Sequence, residues 1–170
     1  MKKKHKLLKT HRELWEFLVW GEECGDGEFR NSKYYRVRYR KEWQAHFYEL
    51  FQESRNHPLS FEITLKRLYE EVERVEAVFV SKLLATINPD MPVIDSVVLT
   101  HLKRSLPPGN YSIDDRIEKI NRIYEYILRC YQEYLETEEG RYLVAQFEIV
   151  YPKTGITKIK MIDLVLWQDR

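Results

Sequence analysis

Cysteine and glycine are scarce in this chain of 170 residues, which contains two cysteines and six glycines. Cys24 and Cys130 lie far apart in sequence, so they do not form the closely spaced pairs that are typical of zinc sites. A chain of this length can bury a core without disulfides or metals. We therefore expect no metal and no cofactor, and the low cysteine content favours a reducing, cytoplasmic setting.

Long apolar runs and a net charge of one sign are also missing. The lysines after Met1 are not followed by an apolar stretch, so we expect neither a signal peptide nor a transmembrane span, and no membrane partner. The formal net charge is +1. Such a charge excludes a strong overall electrostatic attraction of the whole chain to nucleic acid.

Apolar residues spaced three or four apart are abundant, and this spacing is typical of amphipathic helices. The pattern predicts a single all-α domain over residues 1–170, built as a bundle of about seven helices. Predicted helices include 9–20, 32–52, 61–72 and a long helix that begins after Ser112. The tail, residues 156–170, is interpreted as a buried helix capped by Thr157, with a strand as the alternative.

The chain is organised around residues 76–102. Apolar positions between Ala77 and Ile87 share a helical face, and Asn88-Pro89 ends that helix, because a residue before proline is pushed out of the helical region. A short apolar run then leads to Asp95. An aspartate before a further apolar helix is typical of an N-cap, whose carboxylate accepts a hydrogen bond from a backbone N–H group of the first turn.

This stretch resembles the core of the helix-hairpin-helix DNA glycosylases, which have an apolar helix, a tight turn, a short apolar run, a catalytic aspartate and a second helix. It also resembles small bacterial helical proteins that carry an Asn-Pro-x-x-x-Pro-x-x-Asp segment. The resemblance to the glycosylases implies a glycosylase-like helical core with Asp95 as the catalytic residue. In that role, Asp95 would stabilise positive charge on the sugar or help to activate water.

Two features of the glycosylase family are missing at the corresponding positions. The family's glycine-containing hairpin, which grips a DNA phosphate, should precede Ala77, but residues 73–76 contain no glycine. Some members of the family also cleave the DNA strand by means of a lysine. That lysine would fall near Val75, and residues 73–76 contain no lysine. The resemblance therefore implies a degenerate core, and it leaves open whether the protein is an enzyme.

A second candidate site is the basic segment at residues 33–41, which has no acidic residue. Its cations alternate with tyrosines, and this mixture suits a nucleic-acid backbone with exposed bases. The alternative is a solvated charged face with the tyrosines against the core. The predicted nucleic-acid-binding residues are Lys33, Arg36, Arg38, Arg40 and Lys41.

Asp163 lies within the apolar tail, so we expect it to be buried and hydrogen-bonded, or to have a shifted pKa. Three partner hypotheses remain open from the sequence. The protein binds DNA or RNA, it binds another protein without catalysis, or it forms a homo-oligomer. In the last case, the interface would bury a tyrosine face that includes Tyr124, Tyr131 and Tyr134.

Overall fold

The computed structural model describes residues 41–166, and within this range the chain forms seven α-helices and no strand. The helices are α1 (Lys41–Asn56), α2 (Phe61–Val72), α3 (Ala77–Ile87), α4 (Ser96–His101), α5 (Ile113–Leu135), α6 (Glu138–Val150) and α7 (Lys158–Leu166). The predicted all-α helical bundle is thereby confirmed. Contacts divide the chain between Gln44 and Ala45, and the fold described below is that of the unit Ala45–Arg170. One domain over the whole chain stays a prediction.

Polar side chains at the helix starts explain where several helices begin. In each case a side-chain oxygen accepts a hydrogen bond from a backbone N–H of the first turn, which has no partner within the helix. At the start of α5, the Ser112 hydroxyl also donates to the Asp115 carboxylate at 2.6 Å. Four of the capping residues are Ser60 for α2, Asp95 for α4, Ser112 for α5 and Thr137 for α6.

The longest helix, α5, lies at the centre of the described bundle. It packs against α2, α6 and α7, while α2 also packs against α3, and α7 also packs against α4 and α6. Its buried residues are spaced alternately three and four apart, which places them on one face of a helix. These residues are Ile117, Ile120, Tyr124, Ile127 and Tyr131.

A smaller apolar cluster joins α6 to α7. Its buried members are Val144, Phe147 and Met161, with Leu143 and Leu164 among the half-buried residues packed against them. The helix predicted for the tail is confirmed at Lys158–Leu166, and the strand alternative is wrong for these residues. Thr157 caps this helix as predicted, because its hydroxyl accepts from the Lys160 backbone N–H at 3.3 Å.

Two predicted helices lie wholly or partly outside the described range, namely the helix at 9–20 and the first part of the helix at 32–52. The last part of that helix coincides with α1. Among residues 41–166, no helix combines the length and the apolar character that a membrane span requires.

Candidate functional site

Asp95 lies at the N-terminus of α4 and caps it, as the sequence predicts. Its Oδ1 accepts a hydrogen bond from the Val97 backbone N–H at 2.8 Å, and the Ser96 hydroxyl lies 3.5 Å from the same oxygen. The residue is only 8% exposed. A carboxylate held in this way stabilises the start of a helix, and little of it is open to a ligand from solvent.

The loop that carries Asp95 is fixed at several points along its length. Asn88 forms an Asx turn, in which its side-chain oxygen accepts from the Asp90 backbone N–H at 3.1 Å. Further on, the Ser81 hydroxyl of α3 accepts from the Ile94 N–H at 2.9 Å. Thr157 donates its hydroxyl to the Pro89 carbonyl at 2.6 Å, so the loop is also tied to the start of α7.

Asp163 of α7 is buried and hydrogen-bonded, as predicted. It is 6% exposed, and its Oδ1 accepts from the Tyr131 hydroxyl of α5 at 3.0 Å. The Lys160 ammonium lies 3.7 Å from Oδ2, beyond hydrogen-bond distance, and Lys160 is itself 7% exposed. The pair therefore forms a buried ionic contact inside the bundle.

Burial raises the pKa of Asp163 from its ordinary value of 3.8 to about 6, because a charged carboxylate is poorly solvated there. The Lys160 charge, the Tyr131 hydroxyl and the Val93 backbone N–H all favour the charged form and limit the rise. Burial also raises the pKa of Tyr131, and the nearby Asp163 charge adds to this. Tyr131 therefore acts as a hydrogen-bond donor at neutral pH.

The tyrosines that were predicted to lie between copies of the chain belong instead to the core. Tyr124 is 2% exposed and Tyr131 is 3% exposed. Tyr124 stacks on Phe61 of α2 with ring centroids 4.0 Å apart. An interface between copies cannot bury rings that the bundle already buries, so the predicted tyrosine interface is wrong for these two residues.

The charges of Asp163 and Asp95 both add to the rise in the pKa of Tyr131, behind the larger effect of burial. Each carboxylate is engaged by the protein itself, Asp95 as a cap and Asp163 with Tyr131 and Lys160. This arrangement can stabilise the junction of α4, α5 and α7. A catalytic role for Asp95 stays a prediction.

An open cleft of about 240 Å³ lies between α1 and α2. His46 of α1 is 3.5 Å from the Glu71 carboxylate of α2 and 3.9 Å from Glu49. Arg67 donates to Glu53 at 2.5 Å, and this hydrogen bond lowers the pKa of the Glu53 carboxyl. Four of its lining residues are glutamates, so the cleft is unsuited to phosphate groups.

Metal binding has no support from the described residues. Between residues 41 and 166, no three His, Cys, Asp or Glu side chains are grouped so that they could hold a metal ion.

The predicted basic segment lies outside the described residues, except for Lys41 at the start of α1. Nucleic-acid binding by this segment therefore stays a prediction.

A different group of cations and tyrosines lies on α5 and the loop before it. The Arg104 guanidinium is 4.5 Å from the centre of the Tyr126 ring, and Arg129 is 5.8 Å from the same ring. The Lys119 ammonium is 4.8 Å from the centre of the Tyr111 ring. We call these five residues the tyrosine–cation surface. The sequence analysis missed it, because its members are spread over 26 residues.

The loop is held against α5 by Arg116, whose Nε donates to the Pro107 carbonyl at 3.4 Å. This contact helps to position Arg104 and Tyr111, which lie on either side of Pro107 in the chain. Arg104, Lys119 and Arg129 are exposed, and Tyr111 is 42% exposed. The surface thus presents three cations to solvent.

No protein-family model, no curated protein and no solved structure matches this chain.

Proposed function

We propose that the protein is a non-catalytic nucleic-acid-binding module whose tyrosine–cation surface contacts the phosphate backbone of a single strand. The observation that carries the proposal is the placement of Arg104 and Arg129 at the Tyr126 ring and of Lys119 at the Tyr111 ring. An aromatic ring attracts a cation through its quadrupole. It carries no net charge, so the cation is held in place without being neutralised.

Three of the neighbouring carboxylates on α5 have partners within the protein. Asp114 pairs with Lys66 of α2 at 3.4 Å, and Asp115 accepts from the Ser112 hydroxyl. Glu118 pairs with Arg122 at 2.5 Å on the same helix. The cations of the surface therefore keep most of their attraction for phosphate, whereas the charge of Arg122 is offset by Glu118.

The distribution of charge over the chain also supports a local binding surface. Residues 41–166 contain 16 lysines and arginines against 20 aspartates and glutamates. A bundle with this excess of acid repels phosphate over most of its surface. Affinity must then come from places where cations are grouped, namely the tyrosine–cation surface and the predicted segment at residues 33–41.

Charge reversal tests the proposal on the full chain. The double variant Arg104→Glu and Lys119→Glu should bind a fluorescent single-stranded oligonucleotide about tenfold more weakly or worse. The slope of log affinity against log salt should fall by roughly 0.7 for each lost phosphate contact, since fewer counterions are released. Lys158→Glu is the matched control, because Lys158 is an exposed cation on α7 outside the tyrosine–cation surface, and it should change both quantities much less.

A third variant, Arg36→Glu with Arg40→Glu, tests the segment predicted from the sequence in the same titration. Loss of binding only in this variant would place the site at residues 33–41 and remove the tyrosine–cation surface from it. Absence of binding by the unaltered protein at low salt, with single-stranded DNA and RNA, would overturn the proposal.

A further inference from the structure

Helix α6 exposes an apolar face on the side opposite to its buried face. Gly140, Val144 and Phe147 are buried, and they lie on one side of the helix. On the other side, Tyr142 is 66% exposed and Ile149 is 71% exposed. Exposed apolar side chains that share one helix face are typical of an interaction surface.

Ala145 completes this face, because Tyr142, Ala145 and Ile149 are spaced three and four residues apart and therefore align along the helix. We call these three residues the α6 stripe. The two large side chains stand at its ends, and the small Ala145 stands near its middle. A helix with a small residue at the middle of such a stripe can approach a second helix closely.

We propose that the α6 stripe pairs with the α6 stripe of a second copy of the chain in an antiparallel arrangement. In this arrangement a twofold axis passes close to Ala145, and Tyr142 of each copy packs against Ile149 of the other. A twofold interface is self-complementary, so one surface patch serves both copies.

The charges beside the stripe favour a second copy in this orientation. Arg141 and Glu148 of α6 are seven residues apart, so they lie on the same flank of the stripe, next to Tyr142 and Ile149. Both residues are exposed. When two α6 helices run antiparallel about Ala145, Arg141 of each copy faces Glu148 of the other. A parallel pair would instead place like charges opposite each other, which is unfavourable.

The first measurement is the association state of the full-length protein by sedimentation equilibrium over a wide range of concentration. One helix pair buries little area, so we expect a weak dimer. Ile149→Asp should raise its dissociation constant about tenfold or more, because it replaces one of the two large apolar side chains of the contact by a charge. Ile63→Asp is the matched control, since Ile63 is 51% exposed on α2 and lies outside the α6 stripe.

The second measurement is disulfide crosslinking in a background with Cys24→Ser and Cys130→Ser. Ala145→Cys should form a disulfide-linked dimer on oxidation, because the two sulfurs meet near the axis. Tyr142→Cys alone should not, since in an antiparallel pair its two copies are separated by roughly 10 Å along the helices, beyond the reach of a disulfide. A mixture of Tyr142→Cys and Ile149→Cys proteins should crosslink.

Three outcomes would overturn the inference. The protein could be a monomer at every concentration, or Ile149→Asp could dimerise as well as the Ile63→Asp control. Efficient self-crosslinking of Tyr142→Cys would show a parallel pair instead. None of these results bears on nucleic-acid binding, which is measured with different variants.

Discussion

At the scale of single residues, Asp163 is the most unusual side chain in the described part of the protein. Its carboxyl group is buried beside Tyr131 and Lys160, and burial raises its pKa to about 6. In the unfolded chain the same group has its ordinary pKa of 3.8. The folded state therefore binds the Asp163 proton more tightly than the unfolded state does.

This difference predicts how stability depends on pH. The contribution of protonated Asp163 is fully present below pH 4 and is lost as the pH rises through about 6, and its full size is about 3 kcal/mol. Asp163→Asn cannot ionise, so it should lack this component. Urea unfolding from pH 3 to 8 should show the unaltered protein losing stability relative to Asp163→Asn as the pH rises.

Asp90→Asn is the matched control for this experiment, because Asp90 is exposed. Its curve should stay nearly parallel to that of the unaltered protein between pH 4 and 6. If the unaltered protein instead gains stability relative to Asp163→Asn as the pH rises, the ionic contact with Lys160 outweighs the cost of burying the charged carboxylate.

For Asp95, a helix cap and a catalyst require different properties of the side chain. The cap needs an oxygen that accepts from the Val97 N–H, whereas catalysis needs the negative charge. Asp95→Ala should lower the free energy of unfolding by about 0.5–2 kcal/mol, and Asp95→Asn should restore most of this loss. Urea unfolding of both variants measures the cap.

The catalytic role that the resemblance implies is tested by release of a damaged base from DNA. No release by the unaltered protein across a broad panel of lesions would count strongly against that role and leave Asp95 as a cap. Release by the unaltered protein that is lost in a stably folded Asp95→Asn variant would instead establish the charge as essential.

At the scale of helices, the junction of α5 and α6 depends on Gly140. A Cβ atom at this position would lie 2.0 Å from the Tyr134 carbonyl oxygen, which is far inside van der Waals contact. The Gly140 backbone N–H also donates to the Thr137 cap at 3.0 Å. The first turn of α6 therefore approaches the end of α5 more closely than any other amino acid allows.

Gly140→Ala should lower the free energy of unfolding by about 1–3 kcal/mol, because the backbone must shift to admit the methyl group. The higher helix propensity of alanine would offset at most about 1 kcal/mol of this loss. Gly109→Ala is the control, since a Cβ there meets nothing within 4 Å. If Gly140→Ala is as stable in urea as Gly109→Ala, the backbone at this junction can shift to admit the methyl group at little cost in free energy.

At the scale of the whole chain, the formal net charge of +1 conceals an uneven distribution. Residues 1–40 contain 11 lysines and arginines against six aspartates and glutamates, whereas residues 41–166 have an excess of four acidic residues. The composition alone therefore understates the attraction of individual regions to phosphate. This division is why the proposed binding rests on grouped cations and not on the overall charge.

The sequence by itself determined most of the helices within residues 41–166 and the capped starts of several of them. Helical periodicity and capping depend on residues within about four positions of each other, so Asp95 and Thr157 could be identified as caps before the structure was known. The burial of Asp163 followed from the apolar residues on both sides of it.

Only the tertiary structure decided which side chains meet across helices. Tyr131 and Asp163 are 32 positions apart in the chain, and Arg104 and Tyr126 are 22 apart. Such pairs depend on how α5 packs against α7 and how the loop before α5 folds back along it, and local periodicity does not specify either. The same packing placed Tyr124 in the core and left the α6 stripe exposed, because a helix with apolar residues on two faces can bury only one of them against a single neighbouring layer.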